Sequence, residues 1–191
     1  KNDIIKPVAV LLAICIIIPL ALSLTNKITK DKIAELDEKN SRETMASLIE
    51  ADSFEETEFK DGETEFTYYA AVKDGENVGF IFKTAEKGYG GDVSVMTAVN
   101  IDGTVKSVAI LDVSNETPGL GQNAAKESFY SQYQGLKSGI SLVKNGADSA
   151  KNEVNAVTGA TITSTAVNKA VNTALKQFES VKSIKEVTEG E

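Results

Sequence analysis

The stretch FTYYAAVKDGENVGFIF, residues 66–82, decides the fold. Residues 66–72 are rich in aromatic and small apolar types, which suit a pleated strand. Lys73-Asp74-Gly75-Glu76-Asn77 follows, and Asp-Gly supplies the positive φ angles that a tight hairpin needs. Residues 78–82 (VGFIF) then read as a second strand, antiparallel to the first. Residues 93–101 alternate less cleanly, and Asp102-Gly103 turns the chain into VKSVAILDV, residues 105–113. A run of antiparallel strands is predicted.

Working outward, residues 123–133 are rich in Ala, Phe and Tyr and read as helical. Between residues 163 and 184, Val167, Ala170, Val171, Ala174, Leu175, Phe178 and Val181 form one apolar stripe, the best-defined amphipathic helix in the chain. Strands followed by helices give an α+β fold, with helices packed on a mostly antiparallel sheet. Upstream, residues 52–65 are acidic, include Gly62 and read as a connection. Ile28, Ile33, Leu36, Met45, Leu48 and Ile49 recur at loosely helical spacing, which predicts a juxtamembrane helix. The expected layout is an anchor at 1–27, that helix and connection at 28–65, a domain at 66–184 and a frayed polar tail at 185–191.

No residue from 7 to 26 is charged, and 8–24 is almost wholly apolar. Roughly 20 residues make a helix about 30 Å long, the thickness of a bilayer core. A signal peptide is the alternative, but the apolar run is long for one and no clear A-x-A cleavage site follows. Lysines flank both sides, so charge alone gives no orientation. Within 8–24 the polar side chain is Ser23, so ion translocation is expected to reside in other proteins.

Absences narrow the chemistry. The 191 residues contain no His, no Trp and one Cys, Cys15, inside the apolar run. A Ser-His-Asp relay, an HExxH zinc site, a CxxCH haem site, a Cys-ligated cluster and an internal disulfide are all excluded. A net charge of −8 argues against a nucleic-acid surface, which needs clustered Lys and Arg. Redox work would require a cofactor held without His or Cys, and no catalytic or metal-ligating residue is expected.

Three segments could hold such a cofactor. In NAVTGATITS, residues 155–164, hydroxyl side chains surround Gly159-Ala160 where the last helix begins. A helix N-terminus favours an anion, although Thr and Ser are also ordinary helix caps. In ETPGLGQ, residues 116–122, Pro118 and Gly119 fit the centre of a type II turn, which would leave Leu120 projecting. That segment could place an apolar side chain against a flat ring, or simply connect a strand to a helix. Gly88-Tyr89-Gly90-Gly91 permits close approach of a ligand, or makes a flexible turn with an exposed Tyr.

Taken together, these segments resemble one family. Thr158-Gly159-Ala160-Thr161 looks like the flavinylation motif [ST]-G-A-T of FMN-binding domains, found in the G-type component of the Rnf complex and in the C-type component of the sodium-translocating NADH:quinone reductase. GYGG and ETPGLG occur in that family in the same order behind a membrane anchor, and the match is nearer to the Rnf component. The resemblance implies FMN joined by a phosphoester to Thr161 and installed from FAD by a separate flavin transferase. Thr158, Gly159, Ala160 and Thr163 would form the surrounding pocket. Residues 116–121 (Glu116, Thr117, Pro118, Gly119, Leu120, Gly121) and 88–91 (Gly88, Tyr89, Gly90, Gly91) would lie near the isoalloxazine. It also implies a cytoplasmic N-terminus and an extracytoplasmic domain. The protein would be a redox subunit among other membrane subunits of an ion-translocating ferredoxin:NAD+ oxidoreductase, the Rnf complex, with no complete active site of its own. One departure is Asn155, where the motif often carries Asp. The corresponding quinone-reductase component, a stand-alone flavin carrier and a flavin-free anchored interaction domain are the rival readings.

Overall fold

The hairpin at residues 66–82 forms as its sequence predicts. In the computed structural model, which describes residues 2–61 and 64–188, strands β2 (Thr64–Lys73) and β3 (Glu76–Lys87) pair antiparallel. Asp74 and Gly75 both take positive φ between them, +53° and +81°. β4 (Asp92–Asn100) and β5 (Val105–Asp112) extend the sheet on one side, and β1 (Ser53–Asp61) extends it on the other. Among the described residues the result is a five-stranded antiparallel meander in the order β1-β2-β3-β4-β5.

β1 corrects the expectation of a connection at residues 52–65. Its apolar residues are only Phe54 and Phe59, while Glu55, Glu56 and Glu58 are exposed at the sheet edge. Charge on an edge strand discourages pairing with other chains and masks the strand pattern. Phe59 stacks on Phe66 of β2 at 4.6 Å, fixing β1 on β2 by a cross-strand aromatic pair.

The chain divides into two units, Lys1–Glu43 and Thr44–Glu191. Helix α1 spans Asn2–Leu48 as one element, so the juxtamembrane helix is continuous with the apolar segment. In the first unit, Val10–Lys27 is long and apolar enough to cross a membrane. The Thr25 and Thr29 hydroxyls donate to Ala21 O and Thr25 O, so they are satisfied within the helix. Leu36 is exposed, and the side chains of Ile28 and Ile33 lie outside the described set.

The second unit covers both faces of its sheet. On one face α3 (Thr161–Thr188) buries Val167, Val171, Leu175 and Phe178 against Phe80, Phe82, Val95 and Val99. Each such side chain stabilises the fold by about 1.5–3 kcal/mol relative to exposure. The Thr84 hydroxyl donates to Ala170 O at 3.0 Å, pinning helix to sheet. On the other face Met45, Leu48 and Ile49 pack on Ala71, Ile81, Met96 and Ala98. This explains why β4 lacks clean alternation: Val95 through Val99 are all buried because both faces are covered.

Between β5 and α3 the chain is irregular. The helix expected at 123–133 is broken into a 3₁₀ turn at Gly121–Ala125, the short α2 (Glu127–Tyr130) and another 3₁₀ turn at Ser131–Tyr133. Lys126 sits in extended backbone between the first two, and Asn123 spends its side-chain amide on Gly119 O. Such local bonds compete with a helical ladder. β6 (Ser141–Val143) and β7 (Glu153–Asn155) then form a small parallel pair that delivers the chain to α3. The polar end is helical through Thr188; residues 189–191 of the expected tail lie outside the described residues.

Candidate functional site

The turn at residues 157–160 sets where α3 starts. Ala160 N–H donates to Val157 O at 3.0 Å, and Gly159 takes φ +79°, a conformation costly for a residue with a Cβ. Ser164, fully buried, ties the turn to the helix: its Oγ accepts from Val157 N–H and donates to Ala160 O, both at 2.9 Å. Thr161 therefore opens α3 with its side chain exposed, while Thr163 is buried. First-turn N–H groups have no partner within a helix, so this end is suited to an anion.

A second turn meets the first. Leu120 N–H donates to Thr117 O at 3.1 Å, and Gly119 takes φ +76° behind Pro118, as expected for a type II turn. Leu120 projects against Gly159, where an added Cβ would lie 3.0 Å from Leu120 Cδ2. The two glycine turns thus abut.

Glu116 joins the third segment to these two. Its side chain is 2% exposed. Gly90 N–H donates to its Oε1 at 2.9 Å, and the Thr163 hydroxyl donates to its Oε2 in a short hydrogen bond. Burial pushes its pKa up and is the largest single influence. The Thr163 hydroxyl and the N–H groups of Gly90, Gly91 and Tyr89 together outweigh it and hold the carboxyl below its ordinary range. A Cβ on Gly88 would fall 2.5 Å from Glu116 Oε1, and one on Gly121 would fall 2.7 Å from Oε2. Those glycines make room for an internal carboxylate, and Gly121 also lines the cavity beside it.

The three segments enclose one cavity of about 560 Å³, within the usual range for small-molecule sites. Tyr89 lines it from the first segment; Glu116, Thr117, Leu120 and Gly121 from the second; residues 159–163 from the third. Among the described residues outside α1, four large apolar side chains are markedly exposed, and three of them, Tyr89, Leu120 and Ile162, are at this cavity. Concentrated apolar surface of this kind marks a binding site.

Several expected site residues stand elsewhere. Pro118 and Gly119 shape their turn without lining the cavity; Gly88, Gly90 and Gly91 lie behind it, around Glu116 and Asn115. Thr158 lines a separate polar cavity of about 470 Å³ with Asn155, Gln132 and Lys126. Ile162 and Ser164 are not among the pocket residues that the resemblance implies, although Ser164 is one of the hydroxyls around Gly159-Ala160. An apolar residue exposed in the first turn of a helix, and a Ser four residues past Ala160, were the available signals.

Comparison with known proteins agrees with this geometry. An FMN-binding domain family matches residues 88–176, which contain all three segments. The chain is 35% identical to the G component of the proton-translocating ferredoxin:NAD(+) oxidoreductase complex of Clostridium ljungdahlii, covering 85% of each chain. It is 32% identical to the G component of the Na(+)-translocating ferredoxin:NAD(+) oxidoreductase complex of Acetobacterium woodii, covering 90% of each. The chain belongs to the RnfG family.

Solved structures share the fold of this RnfG family member at lower identity. NqrC of Shewanella oneidensis superposes with a TM-score of 0.54 at 22% identity, over 65% of this chain and 70% of that one. The C component of the Na(+)-translocating NADH-quinone reductase of Parabacteroides distasonis gives 0.52 at 24%, over 59% and 60%. The cavity fits the cofactor named by the matched family: an apolar rim for a flat ring, beside a helix N-terminus for a phosphate. The α+β fold, the FMN-binding domain and the single apolar N-terminal helix expected from the sequence are all present.

Proposed function

We propose that this chain is the FMN-bearing electron-transfer subunit of a membrane-bound, ion-translocating ferredoxin:NAD+ oxidoreductase, with FMN esterified through its phosphate to Thr161. The observation that carries this is the position of Thr161: exposed, first in α3, and on the wall of a cavity rimmed by Tyr89, Leu120 and Ile162. The neighbouring hydroxyls are otherwise placed. Thr163 is buried and bonded to Glu116, Thr165 donates to Thr161 O, and Thr158 faces the other cavity.

Attachment forms a bond from Thr161 Oγ1 to the phosphorus of the FMN half of FAD. The pyrophosphate bond breaks, AMP leaves and the hydroxyl proton goes to solvent; a flavin transferase supplies the catalysis. Bound flavin supplies one- and two-electron chemistry that the side chains lack. The chain's own residues hold and orient it: Leu120 and Ile162 offer apolar surface to a ring, and the first turn of α3 offers N–H groups to the phosphate.

The apolar helix anchors the domain, with the N-terminus cytoplasmic and residues 66–184 in the extracytoplasmic compartment; β1 makes 53–61 part of the same domain. An ester link there prevents loss of FMN to the outside. Other membrane subunits of the complex supply the ferredoxin, NAD+ and ion sites.

Intact mass tests the reading. Co-expression with a flavin transferase should add one FMN less one water to the wild-type chain and nothing to Thr161→Ala. An unmodified wild-type mass under those conditions overturns it.

A further inference from the structure

Both carboxylate oxygens of Glu116 are engaged within the protein, although the residue stands at the cavity wall. Its Oε2 is taken by the Thr163 hydroxyl and its Oε1 by Gly90 N–H, with the N–H groups of Tyr89 and Gly91 also directed at the carboxylate. Among the described residues no Lys or Arg is seen to form an ion pair with it. A buried charge is costly unless it is fully hydrogen-bonded, and here dipolar donors from two separate segments meet it. Those donors are the backbone of the 88–91 loop and the third residue of α3. The chain between them exceeds seventy residues; β3 and β4, which the loop joins, pack on α3 through their apolar side chains, and Glu116 adds the polar tie at the loop itself.

We propose that Glu116 is a positioning residue, whose charge closes the 88–91 loop against the first turn of α3 and so assembles the flavin cavity before any cofactor arrives. The glycine pattern follows from this role. Gly88 and Gly121 admit no Cβ because the carboxylate lies between them, and Gly90 admits none because Asn115 O would lie 1.9 Å away. The exposed Tyr89 is thereby held at the cavity wall by its own backbone. The same anchored charge faces whatever fills the cavity, so it opposes added negative charge on a bound ring. This second consequence rests on the flavin reading above; the first does not.

The test uses the full chain, with and without flavin. Hydrogen exchange on the flavin-free protein compares wild type with E116Q and E116D. Gln keeps the size and loses the charge, so a space-filling role predicts no change. Loss of charge-assisted hydrogen bonds predicts that amides 89–91 of E116Q exchange at least about tenfold faster, while β4 amides keep their protection. E116D, which keeps the charge on a shorter arm, should recover part of that protection. In flavin-loaded protein titrated with dithionite, E116Q should shift the midpoint potential to a more positive value. Unchanged exchange in E116Q overturns the positioning role, and faster exchange with an unchanged potential overturns the effect of charge on the ring. If wild type takes up no flavin, the functional reading fails while the exchange result still decides the role of Glu116.

Discussion

Thr163, the third residue of α3, donates its hydroxyl to the carboxylate of Glu116, forty-seven positions earlier. That bond ties the ETPGLG segment to the helix that carries Thr161, beside the packing of Leu120 on Gly159. Its strength depends on ionisation, which gives a pH prediction. A carboxyl whose folded pKa lies below its ordinary 4.5 stabilises the fold above that value and loses the contribution as pH falls through the folded pKa. The stability gap between wild type and E116Q, read by urea unfolding, should therefore be widest between roughly pH 6 and 8 and shrink in acid below 4.5. A gap that grew on acidification would contradict the assignment.

Two threonines two residues apart should respond in opposite ways. Thr163→Val leaves Glu116 Oε2 buried without its hydroxyl donor, at a cost of about 1–3 kcal/mol, and Thr163→Ser should recover most of it. Thr161→Ala touches an exposed side chain and should alter stability by no more than about 0.5 kcal/mol. Covalent flavin should follow the reverse order: absent in Thr161→Ala, present in Thr163→Ser. Denaturation curves and intact mass on the same three preparations separate the two roles.

These contrasts show what a linear reading reaches. The hairpin at 66–82 announced itself because aromatic strand residues flank an Asp-Gly turn, and α3 because its apolar stripe meets one sheet face. β1 stayed hidden, since an edge strand carrying Glu55, Glu56 and Glu58 reads as solvent-exposed chain. The juxtamembrane segment was legible as a helix, but its last turn has a second use: Met45 and Leu48 cover the far face of the sheet. At the site, each motif was visible as a glycine-rich loop. Their convergence was implied only by the family resemblance and not by residue pattern, because the tertiary bonds to Glu116 leave no periodic trace. For the same reason nothing in the sequence showed that Gly88 and Gly121 stand against a carboxylate of the same chain.

The contact between Leu120 and Gly159 yields a third prediction. Gly159→Ala meets two obstacles: φ +79° disfavours a Cβ by about 1–2 kcal/mol, and the new methyl would stand 3.0 Å from Leu120 Cδ2. Leu120 is exposed at the cavity, so its side chain can shift and relieve the second obstacle but not the first. Gly159→Ala should lower the thermal midpoint, and adding Leu120→Ala should restore only part of the loss. Full restoration would show that backbone strain is not the main cost.

Asn155 gives the last test, because its amide is used at both ends. Its Oδ1 accepts from Ala147 N–H at 3.0 Å, and its Nδ2 donates to Gln132 Oε1 at 3.2 Å. Gln132 Oε1 also accepts from Asn155 N–H at 2.9 Å, so rotating the Gln132 amide to suit a carboxylate would abandon that backbone bond. Asn155→Asp replaces a donor with an acceptor facing Gln132 Oε1, and should cost about 1 kcal/mol or more at neutral pH, where the Asp is ionised. Paired with Gln132→Leu the penalty should change by a different amount than the two single substitutions sum to, since the residues share a bond. Urea unfolding of the four-member cycle measures this coupling. The same proteins, co-expressed with a flavin transferase, show by intact mass whether Asp at this position raises the flavinylated fraction while it destabilises the loop. A rise in both stability and flavinylation would mean that Gln132 has rearranged and that the bonds described here do not hold Asn155 in place.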